Sequence, residues 1–129
     1  MVPPNQPAGQ DLNLPLEQLA CAADLCHQPW IHAARLLSAD AGECTVRLEA
    51  RNSAGERQPH HDLELEIYRS GADLNLMLSQ VADEQAPLLW HGGHAVWLCS
   101  DSGEPCPAPP AGAPLEALGR RVRALLAGG

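Results

Sequence analysis

Six histidines and five cysteines carry the widest chemical reach in this 129-residue chain, and four of the histidines bracket one stretch of it. His60 and His61 precede that stretch, His91 and His94 lie near its end, and Cys99 and Cys106 follow. Imidazole with thiolate is the ligand chemistry of zinc and similar transition metals. His91 and His94 are separated by Gly92-Gly93, a reversal that can turn both rings toward one ion. Adjacent His60 and His61 point to opposite faces if they belong to a strand, so at most one of them could join. No HExxH and no CxxC pair accompanies these residues. Polar turn residues account for the histidines without any ligand, so no metal is expected. A metal-binding protein or enzyme centred on His91 and His94 is the alternative to the main reading developed below.

The run Cys21-Ala22-Ala23-Asp24-Leu25-Cys26-His27 has the form CxxxxCH, an uncommon spacing for covalently attached c-type haem. Such attachment follows export, and residues 1–10 hold neither a basic n-region nor an apolar core. Cys26 reads instead as a small hydrophobe near a helix end, and no cofactor is expected. For nucleophilic catalysis Cys99, Ser100, Asp101 and Ser102 stand near His91 and His94 in sequence, but neither a GxSxG elbow nor a glycine-rich cradle is present. All eight basic residues are arginine, which closes lysine Schiff-base chemistry and a P-loop lysine to this chain. A non-enzymatic role is the expectation.

Trp90 and Trp97 differ from these polar candidates, because they flank the Gly-Gly hairpin in a chain with 3% aromatic residues and no Phe. An aromatic on the exposed side of an edge hairpin anchors a partner, and packing into the core is the competing reading. Trp90, His91, His94 and Trp97 are therefore the candidate partner-binding residues.

The elements that must position them follow from periodicity. Cys44, Val46, Leu48 and Ala50 alternate with polar residues, as do Leu63, Leu65 and Ile67, then Leu74, Leu76 and Leu78. Each run reads as a strand with one buried and one wet face. Leu88 to His91 and His94 to Cys99 flank the Gly-Gly turn as a two-residue hairpin. Residues 30–39 fit a helix or a strand, and the turn chemistry of Asp40-Ala41-Gly42 favours a strand pairing with the next. Leu16, Leu19, Ala20 and Ala23 predict a helix from Pro15 to about Cys26, stopped by Pro29. Leu115, Leu118, Val122, Leu125 and Leu126 predict another from Pro114. Residues 101–112 are too rich in proline for regular structure and read as a crossing linker.

The expected architecture is α+β: an antiparallel β-meander of five or six strands with an N-terminal and a C-terminal helix on one face. Residues 1–14 read as a flexible Pro-rich leader and 15–129 as one domain. Glu43, Arg47, Glu49, Asp62, Glu64, Glu66 and Arg69 are assigned to the solvated face. Arg120, Arg121 and Arg123 are assigned to the helix dipole at the end of the second helix.

A formal net charge of −8 opposes phosphate backbones and anionic membranes, so neither nucleic acid nor membrane is expected as a partner. No segment is apolar enough to span a bilayer, and five cysteines without an export signal suggest free thiols in the cytoplasm. In outline, a small acidic α+β chain with an edge hairpin and a terminal helix resembles many dimeric adaptors and assembly or secretion chaperones. The function expected is a non-catalytic protein-binding module, acting on another protein or on itself as a homodimer.

Overall fold

A computed structural model describes residues 14–110 and 112–127. The proposed leader, residues 1–14, lies outside the described residues except for its last member. The order of elements is α1 (Leu16–Cys26), β1 (Ile31–Asp40), β2 (Glu43–Arg51), a 3-10 turn (Pro59–His61), β3 (Leu63–Ser70), β4 (Asp73–Gln80), β5 (Leu88–His91), β6 (Ala95–Leu98) and α2 (Gly112–Ala127). The six strands form one antiparallel sheet in sequence order, and both helices cover one face. The α+β meander is thus the fold, with six strands, and residues 31–40 are strand.

Alternation sets the register. Val46, Leu65 and Leu78 stand opposite one another across β2, β3 and β4, and all three are fully buried under the helices. Leu19, Ala22 and Ala23 of α1 and Leu115, Leu118, Val122 and Leu126 of α2 close the other side of this core. The β1–β2 reversal needs Gly42 at φ +84°, where a Cβ would sit 2.7 Å from the Arg69 carbonyl oxygen. Only glycine combines that backbone with that approach.

Four expectations are corrected by the coordinates. The β5–β6 connection is three residues, Gly92 to His94, because His91 pairs with Ala95. Asp62 leaves the solvated face: it precedes β3, is 3% exposed and takes both guanidinium nitrogens of Arg57 at 2.8 and 2.9 Å. Arg69 points to the helix side and donates to the Leu126 carbonyl at 3.2 Å. That guanidinium, from β3, meets the negative end of α2, whose last turn holds no basic residue; Arg123 reaches the Leu74 carbonyl instead. Two pairs of outer-face charges do meet across strands, Arg47 with Glu64 at 3.0 Å and Arg35 with Glu49 at 3.1 Å, while Glu66 accepts the Tyr68 hydroxyl on its own strand.

The two sheet edges differ. Beside β6, the proline-rich segment folds back as an extra short partner, with the Cys99 N–H donating to the Glu104 carbonyl at 2.8 Å and the Cys106 N–H to that of Trp97 at 2.9 Å. Among the described residues no strand pairs with the far side of β1, where Asp24 of α1 accepts one backbone N–H, that of His32.

Candidate functional site

The β5–β6 hairpin divides its four candidate residues between two faces. Trp97 is on the helix side, 6% exposed, and its indole N–H donates to Glu116 of α2 at 2.6 Å. Gly112 lies flat against the indole, where a Cβ would come within 2.8 Å of the ring. His91 is also buried and packs on Gly119 of α2. A glycine in mid-helix costs about 1 kcal/mol relative to alanine, and here it opens space for an imidazole. Trp97 and His91 therefore fasten the hairpin to α2. Trp90 is on the opposite face, half-buried, opposite Met77 and Val96 and 5.7 Å from the Tyr68 ring. Burial and the adjacent Glu66 carboxylate push the Tyr68 hydroxyl pKa well up. His94 is exposed in the loop. His91 is buried under α2 while His94 is exposed in the loop, and among the described residues no group of three or more His, Cys, Asp or Glu could hold a metal ion.

Leu88, Trp90, Val96 and Leu98 make the β5–β6 part of the outer face apolar, joined on β4 by Met77 between the polar Asn75 and Ser79, whereas the β1–β3 part is charged. A second exposed apolar group lies at the other edge. Ile31, Leu36 and Leu37 of β1 are 40–48% exposed, and Leu25 of α1 is 59% exposed.

A polar cluster not anticipated from the sequence occupies the α1–β1 junction. His27 follows α1, the chain reverses through Pro29, and His32 returns on the inward face of β1 alongside the last turn of the helix. Asp24 accepts the His32 backbone N–H at 2.6 Å and lies 3.0 Å from His32 Nδ1. On the other side of that ring, His32 Nε2 is 3.0 Å from His27 Nδ1. His61, from the 3-10 turn, stacks on Trp30 with ring centres 4.0 Å apart and lies 6.4 Å from the His27 ring. Burial first, then the charges of His32 and His61, lower the His27 pKa to about 4, so this imidazole is neutral at pH 7. The CxxxxCH run thus delivers its histidine to another histidine, while Cys26 packs against the core. The signal in the sequence was Asp24, His27 and His32 around a helix-stopping proline, which folds three sequence neighbours into one contact.

The match to a family model spans residues 16–125, from the first residue of α1 into the last turns of α2. The chain belongs to the family described as Domain of unknown function (DUF8659). No curated protein and no solved structure matches it significantly. The family unit therefore takes in both helices, all six strands, the histidine cluster and the Trp90 face.

Among the open clefts that the described residues form, two lie beside candidate polar groups. One, about 320 Å³, is lined by Glu64, Gln80, Asp83, Glu84, Leu88 and Ser100. The other, near Cys99, Ser100 and Asp101, holds no histidine, so a Ser or Cys nucleophile there has no imidazole base lining its cleft. The helix lengths add one further fact: among the described residues no helix is long and apolar enough to cross a membrane.

Proposed function

We propose that this protein is a non-catalytic protein-binding module of adaptor or assembly-chaperone type, working as a homodimer joined through β1. The observation that carries this reading is the open edge of β1. His32 gives its backbone N–H to Asp24 rather than to β2, so by the alternation of an antiparallel ladder the groups of Ala34 and Leu36 also point outward. Ten residues without proline, with Ile31, Leu36 and Leu37 exposed, are a template for another strand. A second copy suits it by charge. The strand carries one acid, Asp40, and one base, Arg35, and two-fold antiparallel pairing can bring each toward its opposite in the other copy. Covering what remains exposed of each of the three apolar side chains contributes about 1 kcal/mol apiece.

Pairing there leaves the Trp90 face and His94 free for a further protein, and the acidic body favours a basic one. All five cysteines are free thiols, which supports a reducing compartment, the cytoplasm. The alternative, a metal held by His91 and His94, has less support, since one ring packs under α2 and the other is in the loop.

Analytical ultracentrifugation of the full chain tests the dimer. Wild type should sediment as a dimer, and Leu36→Arg with Leu37→Arg as a folded monomer. Arginine is the stringent choice because it lowers the net negative charge, so lost association reports the local contact. A monomeric wild type, or a dimer indifferent to the double substitution, refutes this assembly; Trp90→Ala should leave the dimer intact.

A further inference from the structure

The proline-rich return along β6 brings together two cysteines that protein binding does not use. Leu98 stands opposite Pro105 in an antiparallel bridge, flanked by the Cys99 N–H bond to the Glu104 carbonyl at 2.8 Å and the Cys106 N–H bond to the Trp97 carbonyl at 2.9 Å. Side chains alternate along paired backbone, so Cys99 and Cys106 both take the helix side, with Trp97, as diagonal neighbours. Such neighbours stand about 7–8 Å apart at Cα and closer at Cβ, and a disulfide spans Cα separations up to about 6.8 Å. The small shift needed is open to this segment, since residues 100–105 are all exposed. The thiols already meet: burial, then a hydrogen bond to the Cys99 thiol, raise the Cys106 pKa above the usual thiol value. Cys106 packs at the margin of the core, whereas Cys99 lines an open cleft with Pro87 and Ser100. A small oxidant therefore reaches Cys99 first.

We infer that Cys99 and Cys106 are a dithiol site oxidised by a small-molecule disulfide, which closes a bridge within the chain and fixes the proline-rich segment to β6. The Cys99 thiolate attacks one sulfur of the incoming disulfide, whose S–S bond breaks as one thiolate leaves with the electron pair. Cys106, once deprotonated, attacks the Cys99 sulfur of this mixed disulfide; the Cys99–Cys106 bond forms and the second thiolate leaves. The two cysteine protons end on the two released thiols, so the dithiol gives up two electrons and the incoming disulfide takes them. In the reducing compartment proposed above, the chain rests as the dithiol and the bridge is transient. Reduced, the cover of the β6 edge is held there by two backbone bonds; oxidised, it is covalent, and β1 is the edge left open.

The test incubates the reduced full chain with oxidised glutathione at about pH 8, where an ordinary thiol is partly ionised. Wild type should lose two of its five thiols and the mass of two hydrogens. Proteolysis after the exposed Glu104 separates the two cysteines, so the flanking fragments should stay joined until reductant is added; this readout needs no variant. Cys99→Ser and Cys106→Ser should each fail to lose the two hydrogens, and Cys21→Ser should behave as wild type. Because the fold holds the sulfurs together, half-oxidation of the urea-unfolded chain should need an oxidised-to-reduced glutathione ratio at least about tenfold higher. Hydrogen exchange at the Cys106 amide should slow at least about tenfold on oxidation. A folded wild type that keeps all its thiols refutes the site, as does a bridge that forms equally well in urea or one that uses Cys21. An unchanged exchange rate refutes the lock on β6. None of these readouts depends on pairing through β1, so the dimer and the dithiol stand or fall separately.

Discussion

Asp62 is the single residue on which most of the acid response should turn. Burial alone would raise its pKa, but the paired bonds from Arg57, the Ala50 N–H at 2.8 Å and the charges of Arg57 and Arg47 together hold it below the usual carboxylate value of 3.8. The folded state therefore binds fewer protons than the unfolded chain as pH falls below about 4. The stability contributed is complete above that value and is lost as pH drops through the folded pKa. Asp62→Asn should cost about 1–3 kcal/mol at pH 7. The estimate is kept low because the Arg57 side chain is 35% exposed and water screens its half of the pair. Urea unfolding at pH 7 and pH 3 checks both parts. The variant should lose stability at pH 7 and lie closer to wild type at pH 3; a constant difference across that range would mean that the carboxylate is not the group titrating.

Elements are joined here by a few close approaches, and α2 shows it best. Its first residue, Gly112, lies against an indole that Glu116 already pins, so the ring cannot retreat from an added methyl. Gly112→Ala should destabilise by about 1–3 kcal/mol, seen as a lower urea midpoint with unchanged slope. Leu118→Ala and Leu65→Ala, both fully buried, should cost about 2–5 kcal/mol each by the same measurement. Losses below about 1 kcal/mol at both would mean the buried face is misassigned. The strands and the apolar stripe of α2 were legible because alternation and 3.6-residue spacing are local properties of the chain. Trp97 was ambiguous, since nothing local says which side of a four-residue strand the helix will cover. The Asp24, His27 and His32 contact was legible only as three polar residues around a helix-stopping proline, because the contact itself depends on how closely the chain returns after Pro29. The same holds for the β6 edge: a proline-rich segment reads as linker, and its return along β6 rests on two backbone bonds that composition does not encode.

At the scale of the whole molecule, charge separates self-association from capture of another protein. Each chain carries a formal −8, so two copies repel at long range, while the β1 contact between them is neutral and apolar. Salt weakens the repulsion and leaves the contact almost untouched. Between about 0.01 and 1 M ionic strength the Debye length falls from about 30 Å to about 3 Å. Dimerisation should therefore tighten as NaCl is added over that range. Binding of a basic protein to the acidic body should do the reverse, because screening removes the attraction that steers it. Sedimentation of the purified chain at several concentrations and salt levels gives the dimer constant directly. A constant that weakens steadily with salt would show the copies held by ion pairs rather than by β1, and would direct the search to the charged half of the outer face, around Arg47 and Glu64.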